Sequence, residues 1–116
     1  MAAALKLVCA LLLCMLVVEP MATTAISCGY VAKQISGCIK YLQNGGFLPP
    51  NCCMGIRALN NGAKTTRDRR SVCRCLQNAA RTIPGIKRNL AVGLPKKCGV
   101  KIPYKISPST NCNRVK

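Results

Sequence analysis

The longest apolar stretch of the chain lies near its beginning. Lys6 is followed by an unbroken run of twelve nonpolar residues, 7–18. This length fits the hydrophobic part of a secretory signal peptide and falls short of the roughly 20 residues that span a bilayer. Small residues follow, and Thr23-Thr24-Ala25 offers a cleavage site. We therefore predict a signal peptide over 1–25 and a mature domain over 26–116, with a short buried helix or a membrane anchor as the alternative.

Apolar residues in the first half of the mature domain recur at the spacing of helix faces. Five of them, beginning at Val31, lie at i, i+4, i+7, i+8 and i+11, and Asn44-Gly45-Gly46 ends the pattern. A second segment begins at Pro49-Pro50, where the first turn of a helix tolerates proline. It ends at Asn60-Asn61-Gly62. These patterns predict the first two helices.

The second half of the domain predicts two further helices and a tail. Thr65-Thr66-Arg67-Asp68 has the form of a capping box, and apolar residues then line one face until Pro84-Gly85. A shorter helix is predicted over about 89–94. From Cys98 onward no helical period remains, so we expect an irregular tail that wraps over the helices. No alternating strand pattern of any length occurs, and the predicted fold is an all-α domain of four helices.

Charge and composition argue against an enzyme. The chain has 18 Lys and Arg residues against two acids, and it has no His. Lys6 and Glu19 both fall in the predicted signal, so the mature domain keeps the net charge of +16. Asp68 is then its one acidic residue, and neither the familiar general-base sites nor a Ser/His/Asp triad can be built. We expect no catalysis and no cofactor.

Ten cysteines in a chain of 116 residues indicate a disulfide scaffold in an oxidising compartment. Two of them leave with the signal, and the remaining eight are an even number, as a closed framework requires. Cys73 and Cys75 point about 200° apart around a helix, so they need partners in different directions. The neighbours Cys52 and Cys53 also need separate partners. The C-C and C-x-C motifs are not the usual zinc pairs, and we expect no metal.

The cysteine spacing resembles that of one known family. It runs C-x9-C-x13-C-C-x19-C-x-C-x22-C-x13-C, similar to plant non-specific lipid transfer proteins of type 1, and the polar Arg74 inside the C-x-C pair also resembles that type. Thr65-Thr66-Arg67-Asp68-Arg69 and Pro103-Tyr104-Lys105-Ile106-Ser107 resemble the two family pentapeptides. The resemblance covers the whole chain. It implies four bridges, Cys28–Cys75, Cys38–Cys52, Cys53–Cys98 and Cys73–Cys112.

The resemblance further implies a hydrophobic tunnel enclosed by the helices and the tail. The mature domain has few aromatic residues, so four bridges can hold aliphatic helix faces around an interior that is not fully packed. Such an interior suits an acyl chain through non-directional contacts. Periodicity alone favours an ordinary packed core instead. The expected tunnel wall is Val31, Ile35, Ile39, Ile56, Leu59, Leu76, Ile83, Leu90, Leu94 and Ile106.

Polar residues at the tunnel mouth are implied by the two pentapeptides. Arg69 offers paired donors for a phosphate or carboxylate, and the Tyr104 hydroxyl offers one more. We place Asp68 with this lipid head-group set. Its own expected role is to cap the third helix, where negative charge is favourable, and pairing with a neighbouring arginine is the alternative.

The implied function is that of a secreted carrier in the cell wall or apoplast. It would take up fatty acids, lysolipids and phospholipids and transfer them between membranes, in cuticle deposition or defence. The high charge favours transient contact with anionic membranes, against the alternative of a merely solvated surface. A basic antimicrobial protein and an amylase or protease inhibitor on the same cysteine frame are the competing functions. Scarce aromatic residues argue against nucleic-acid binding, and we expect a monomer.

Overall fold

The computed structural model describes residues 26–116, and the predicted signal peptide lies outside the described residues. A first helical segment consists of α1, a 3-10 turn and α2, and three longer helices follow. Their bounds are α1 Cys28–Ile35, the turn Ser36–Cys38, α2 Ile39–Asn44, α3 Pro50–Gly62, α4 Thr66–Thr82 and α5 Arg88–Lys97. Every regular element within 26–116 is helical, which confirms the all-α prediction. Among these residues no helix has the length and apolarity needed to cross a bilayer.

The first helical segment is broken where the sequence predicted one continuous helix. The Ser27 side chain caps α1 by accepting the Tyr30 N–H, as a first-turn cap should. The 3-10 turn at Ser36–Cys38 combines serine and glycine, which are weaker helix formers. A Cβ atom at Gly37 would come within 2.6 Å of the Asn51 side chain, so the turn lies tightly against α3. The apolar spacing continues through the turn, and therefore spacing alone did not reveal it.

The last helix is longer than predicted. It was expected over about 89–94, and the predicted end is wrong: α5 spans Arg88–Lys97 with Pro95 inside. Proline removes one backbone donor, but the Cys98 N–H still donates to the Leu94 carbonyl at 3.0 Å. The Val100 N–H donates to the Pro95 carbonyl at 2.8 Å and satisfies that acceptor.

Four disulfides tie the helices together. They are Cys28–Cys75, Cys38–Cys52, Cys53–Cys98 and Cys73–Cys112, the pairs that the family resemblance implies. α4 is therefore bonded on two sides, through Cys75 to α1 and through Cys73 to the C-terminal tail. α1 also crosses α3 closely, because Gly55 of α3 lies directly against the backbone carbonyl of Gln34.

The C-terminal tail (residues 99–116) is held at its end by arginines of α4. Arg69 Nε donates to the carbonyl of Lys116 at 2.6 Å, and Arg70 Nε donates to the carbonyl of Val115 at 2.8 Å. Both bonds join a charged donor to a backbone acceptor, which makes them stronger than neutral hydrogen bonds. The last residues of the chain are thereby fixed against the beginning of α4.

The same face of α4 holds the middle of the tail. Arg74 donates to the Asn113 side chain at 2.7 Å, and Arg81 donates to the carbonyl of Pro108 at 2.9 Å. Gln77 Nε2 donates to the carbonyls of Pro108 and Thr110, both at 2.7 Å. Counted from Arg70, these donors fall at i, i+4, i+7 and i+11, which is one helix face. One face of α4, with three arginines and one glutamine, therefore holds the tail.

Candidate functional site

An aliphatic cavity lies between the helices. Its volume is about 30 Å³, and its lining comes from every helical segment and from the tail. Seven of its twelve lining residues belong to the predicted tunnel wall: Ile35, Ile39, Ile56, Leu76, Ile83, Leu94 and Ile106. The remaining five are Leu42, Ala79, Ala80, Ile86 and Ala91. We call this the inner cavity.

A second cavity continues from the first toward a polar end. Ile56 and Leu76 line both, so the two share a wall at the centre of the domain. We call the second, of about 20 Å³, the outer cavity. The rest of its lining is Leu59, Asn60, Ala63, Arg69, Val72, Ile102, Pro103 and Tyr104. The structure thus brings Arg69 and Tyr104 together at one end of an otherwise apolar path.

The path is narrow. A site for a small-molecule ligand typically has about 300–1,000 Å³, far more than either cavity provides. Each cavity has room for little more than one or two waters. To admit an acyl chain, the walls must therefore separate. The tail supplies Ile102, Pro103, Tyr104 and Ile106 to these walls, and it contains no α-helix that would resist such a movement.

Two residues of the predicted wall line neither cavity. Val31 is 1% exposed and packs in the core, one turn before Ile35 on α1. It lies beside a separate surface hollow between α1 and α4. Leu90 is half-buried on α5, with a methyl group positioned 3.8 Å from where a Cβ of Gly45 would stand. Both satisfy the apolar spacing, but spacing does not distinguish a residue facing a cavity from one facing a neighbouring helix.

The predicted tunnel wall does not include the small residues that leave space in the inner cavity. Ala79, Ala80 and Ala91 line the inner cavity, and alanine at an inward helical position was the available signal. Ile86 and Ile102 lie in irregular segments, where no period marks an inward direction.

Arg69 is anchored at the polar end of the outer cavity. Besides its short bond to Lys116, its Nη1 donates to the carbonyls of Lys64 at 3.1 Å and Ala63 at 3.4 Å. Its Nη2 donates to Thr66 Oγ1 at 3.4 Å. Nη1 therefore contacts the loop between α3 and α4, Nη2 contacts the first residue of α4, and these Nη contacts are longer than the Nε bond.

Tyr104 provides a neutral polar group beside this arginine. Its ring is half-buried and contacts both the main core and the smaller cluster around Cys73 and Cys112. Loss of solvent through burial raises the pKa of Tyr104 to about 12. The hydroxyl therefore remains protonated, and able to donate, throughout the physiological pH range.

Asp68 has a place on α4 that differs from the predicted head-group site. It lines neither cavity, and its N–H donates to Thr65 Oγ1 at 3.1 Å. Thr65 is the N-cap of α4, and the carboxylate of Asp68 lies in the first turn, where the helix dipole favours negative charge. Unlike Arg69 and Tyr104, Asp68 therefore does not line a cavity. Its position supports its expected role in capping the helix.

The sequence around the cysteine frame matches known proteins. Residues 28–112 match the model of the protease inhibitor/seed storage/LTP family. A non-specific lipid-transfer protein of Corylus avellana, Cor a 8.0101, is 57% identical over 112 residues, 97% of this chain and 97% of its own. The chain belongs to the non-specific lipid-transfer protein family.

Solved structures of this family share the fold. Barley non-specific lipid transfer protein 1 in complex with a lysophosphatidylcholine is 40% identical and superposes with a TM-score of 0.75. The wheat protein complexed with two molecules of phospholipid is also 40% identical, with a TM-score of 0.73. Each match covers 78% of this chain and 100% of the relative.

Proposed function

We propose that this lipid-transfer protein family member is a carrier that takes up fatty acids, lysolipids and phospholipids and moves them between membranes. The pair of aliphatic cavities that meet at Ile56 and Leu76 and end at Arg69 and Tyr104 carries this proposal. Relatives in complex with a lysophospholipid and with phospholipid support the same ligand class. Exchange is equilibrium binding and release with no covalent step, so the protein needs no catalytic residues.

Burial of methylene groups supplies the driving force for uptake. Each buried CH₂ contributes about 0.8 kcal/mol, and this gain must offset the separation of the cavity walls. Long chains therefore offset that cost better than short ones. Because the wall contacts are non-directional, the protein accepts many acyl chains rather than one.

The proposed setting is extracellular. Residues 1–25 act as a secretory signal, and the mature carrier works as a monomer in the cell wall or apoplast. The four bridges support this, because disulfides persist in oxidising compartments. Cuticle deposition and defence both need a secreted lipid carrier, and the net charge of +16 supports transient contact with anionic membranes.

Filling the inner cavity should strongly weaken binding of an acyl chain. Ala80 is half-buried and lines that cavity, so Ala80→Phe places a ring where the acyl chain must lie. We expect affinity for a fluorescent fatty acid to fall more than tenfold. The matched control is Ala58→Phe, at a half-buried alanine of α3 that lines neither cavity. Equal binding by the two folded variants, measured by probe titration, would exclude the inner cavity as the acyl site.

The head-group role of Arg69 predicts ligand-selective loss. Arg69→Ala should weaken lysophosphatidylcholine binding by roughly tenfold, since a charged hydrogen bond is worth about 1.5–3 kcal/mol. Uncharged long-chain alcohols should lose much less. Arg70→Ala is the control, because it removes the same charge and a similar tail contact without touching either cavity. The same loss for both ligand classes in probe displacement would contradict the head-group role.

A further inference from the structure

A basic groove runs over the surface between α5 and the tail, outside the two cavities. It consists of two adjoining hollows of about 660 and 520 Å³ that share Val92, Tyr104 and Lys105. We define the basic groove by six of its lining residues: Arg88, Val92, Lys96, Lys101, Tyr104 and Lys105. This surface is much roomier than the interior path.

The arrangement of α5 produces this surface. Arg88, Val92 and Lys96 fall at i, i+4 and i+8, so they share one face of the helix. Ala91 and Leu94, two of the three buried residues of α5, occupy another face, and the third, Pro95, lines the groove. The tail then adds two lysines, also four residues apart, on the far side of the groove.

The chemistry of the groove is cationic around an apolar strip. Its Lys and Arg residues are all exposed, and Asp68, the one acid in residues 26–116, lies on α4 and does not line the groove. Val92 is 37% exposed at its centre, with the half-buried Val100 and Ile102 beside it. Positive groups around exposed aliphatic side chains complement a surface of lipid phosphates over acyl chains.

The groove is continuous with the interior path. Ile102 and Tyr104 line the outer cavity from within and the groove from outside. We infer that the basic groove is the face that docks on anionic phospholipid bilayers. Docking there sets the polar end of the outer cavity against the lipid surface, so an acyl chain passes between bilayer and protein with little exposure to water. This inference rests on the proposed function and names its membrane-facing surface.

Removing groove charges tests the inference. Lys101→Gln/Lys105→Gln should weaken binding to phosphatidylcholine vesicles containing phosphatidylserine by roughly thirtyfold at low salt, about fivefold per charge. The matched control is Lys33→Gln/Lys40→Gln, which removes two exposed charges from α1 and α2, outside the groove. Equal losses in the two pairs would overturn the inference, because net charge rather than this face would then control binding.

A fluorescent reporter locates the contact independently. The chain has no Trp, so Val92→Trp gives a single reporter in the groove. We expect its emission to shift to shorter wavelength when anionic vesicles are added. Phe47→Trp is the control, at an apolar side chain that is 81% exposed and lies outside the groove. A shift confined to the Phe47→Trp variant would assign docking to another surface and overturn the inference.

Two further measurements separate this inference from the proposed function and from another anionic partner. Fatty-acid binding in solution should be unchanged in the Lys101→Gln/Lys105→Gln variant; if the wild-type protein binds no fatty acid, the proposed function fails. If the groove substitutions weaken binding to soluble polygalacturonate and leave vesicle binding intact, the groove recognises an acidic polysaccharide and the membrane inference is wrong.

Discussion

Removing the Cys28–Cys75 bridge is expected to lower the free energy of unfolding by about 4 kcal/mol. The bridge closes the longest loop of the four, with a sequence separation of 47 residues. In the chain-entropy model such a loop restricts the unfolded chain by about that amount. Small domains are typically stable by only about 5–15 kcal/mol, so this loss is a large part of the total.

The variant should keep the side chains compatible with their surroundings. Cys75 is buried and Cys28 is exposed, so Cys28→Ser/Cys75→Ala avoids burying a hydroxyl. The measurement is denaturant unfolding of wild type and variant, after mass analysis confirms that the other three bridges are oxidised. A loss below about 1 kcal/mol would show that helix packing, not the bridges, holds this domain.

Gly55→Ala is expected to destabilise the fold by about 3 kcal/mol. A methyl group at Gly55 would overlap the backbone carbonyl of Gln34, where α3 crosses α1. Overpacking usually costs about 1–3 kcal/mol, and here the neighbour is backbone that no rotamer change can move. The two helices must separate, and both supply walls of the inner cavity, through Ile35 and Ile56.

Gly93→Ala is the matched control for this prediction. Gly93 also lies inside a helix, but a Cβ atom there meets nothing within 4 Å. Alanine is the better helix former, so this change should stabilise by about 0.5–1 kcal/mol. Thermal unfolding of both variants measures the difference. Wild-type stability in Gly55→Ala would mean that α1 and α3 are not in contact at this point.

Local features explain how far the fold could be predicted. Proline and glycine mark helix ends through their backbone restrictions, and Pro50–Gly62 and Thr66–Thr82 both correspond to such marks. The end of α5 was not predicted, because backbone hydrogen bonding continues past Pro95. This continuation depends on the N–H groups of Cys98 and Val100. The local sequence thus determines where most of a helix lies. The last turn of a helix also depends on backbone N–H groups of the segment that follows it.

The interior path was predictable only in part. Large aliphatic residues such as Ile56 and Leu76 are identified by their spacing. Spacing does not identify the alanines that leave space in the cavity, because a small residue is equally compatible with a close contact between two helices. Tail residues such as Ile102 follow no period at all. A cavity is a property of several segments together, and no single segment of sequence encodes it.

The arginines of α4 show more clearly the same limit on what can be predicted from the sequence. The high positive charge was expected to serve a solvated or membrane-facing surface, yet Arg70, Arg74 and Arg81 donate hydrogen bonds to the tail. Two of these acceptors are backbone carbonyls, which every residue possesses, so the sequence does not distinguish the residues that supply them. Four exposed basic residues away from this helix face, Arg88, Lys96, Lys101 and Lys105, lie on α5 and in the tail around Val92.

Transfer of a labelled phospholipid from donor to acceptor vesicles tests the carrier function most directly. We expect transfer that rises with protein concentration and disappears when the four bridges are reduced, because the walls of the path then come apart. Amylase and trypsin inhibition should be measured beside it, since the matched family includes inhibitors. Inhibition without transfer, or no transfer above the protein-free rate, would contradict a lipid carrier.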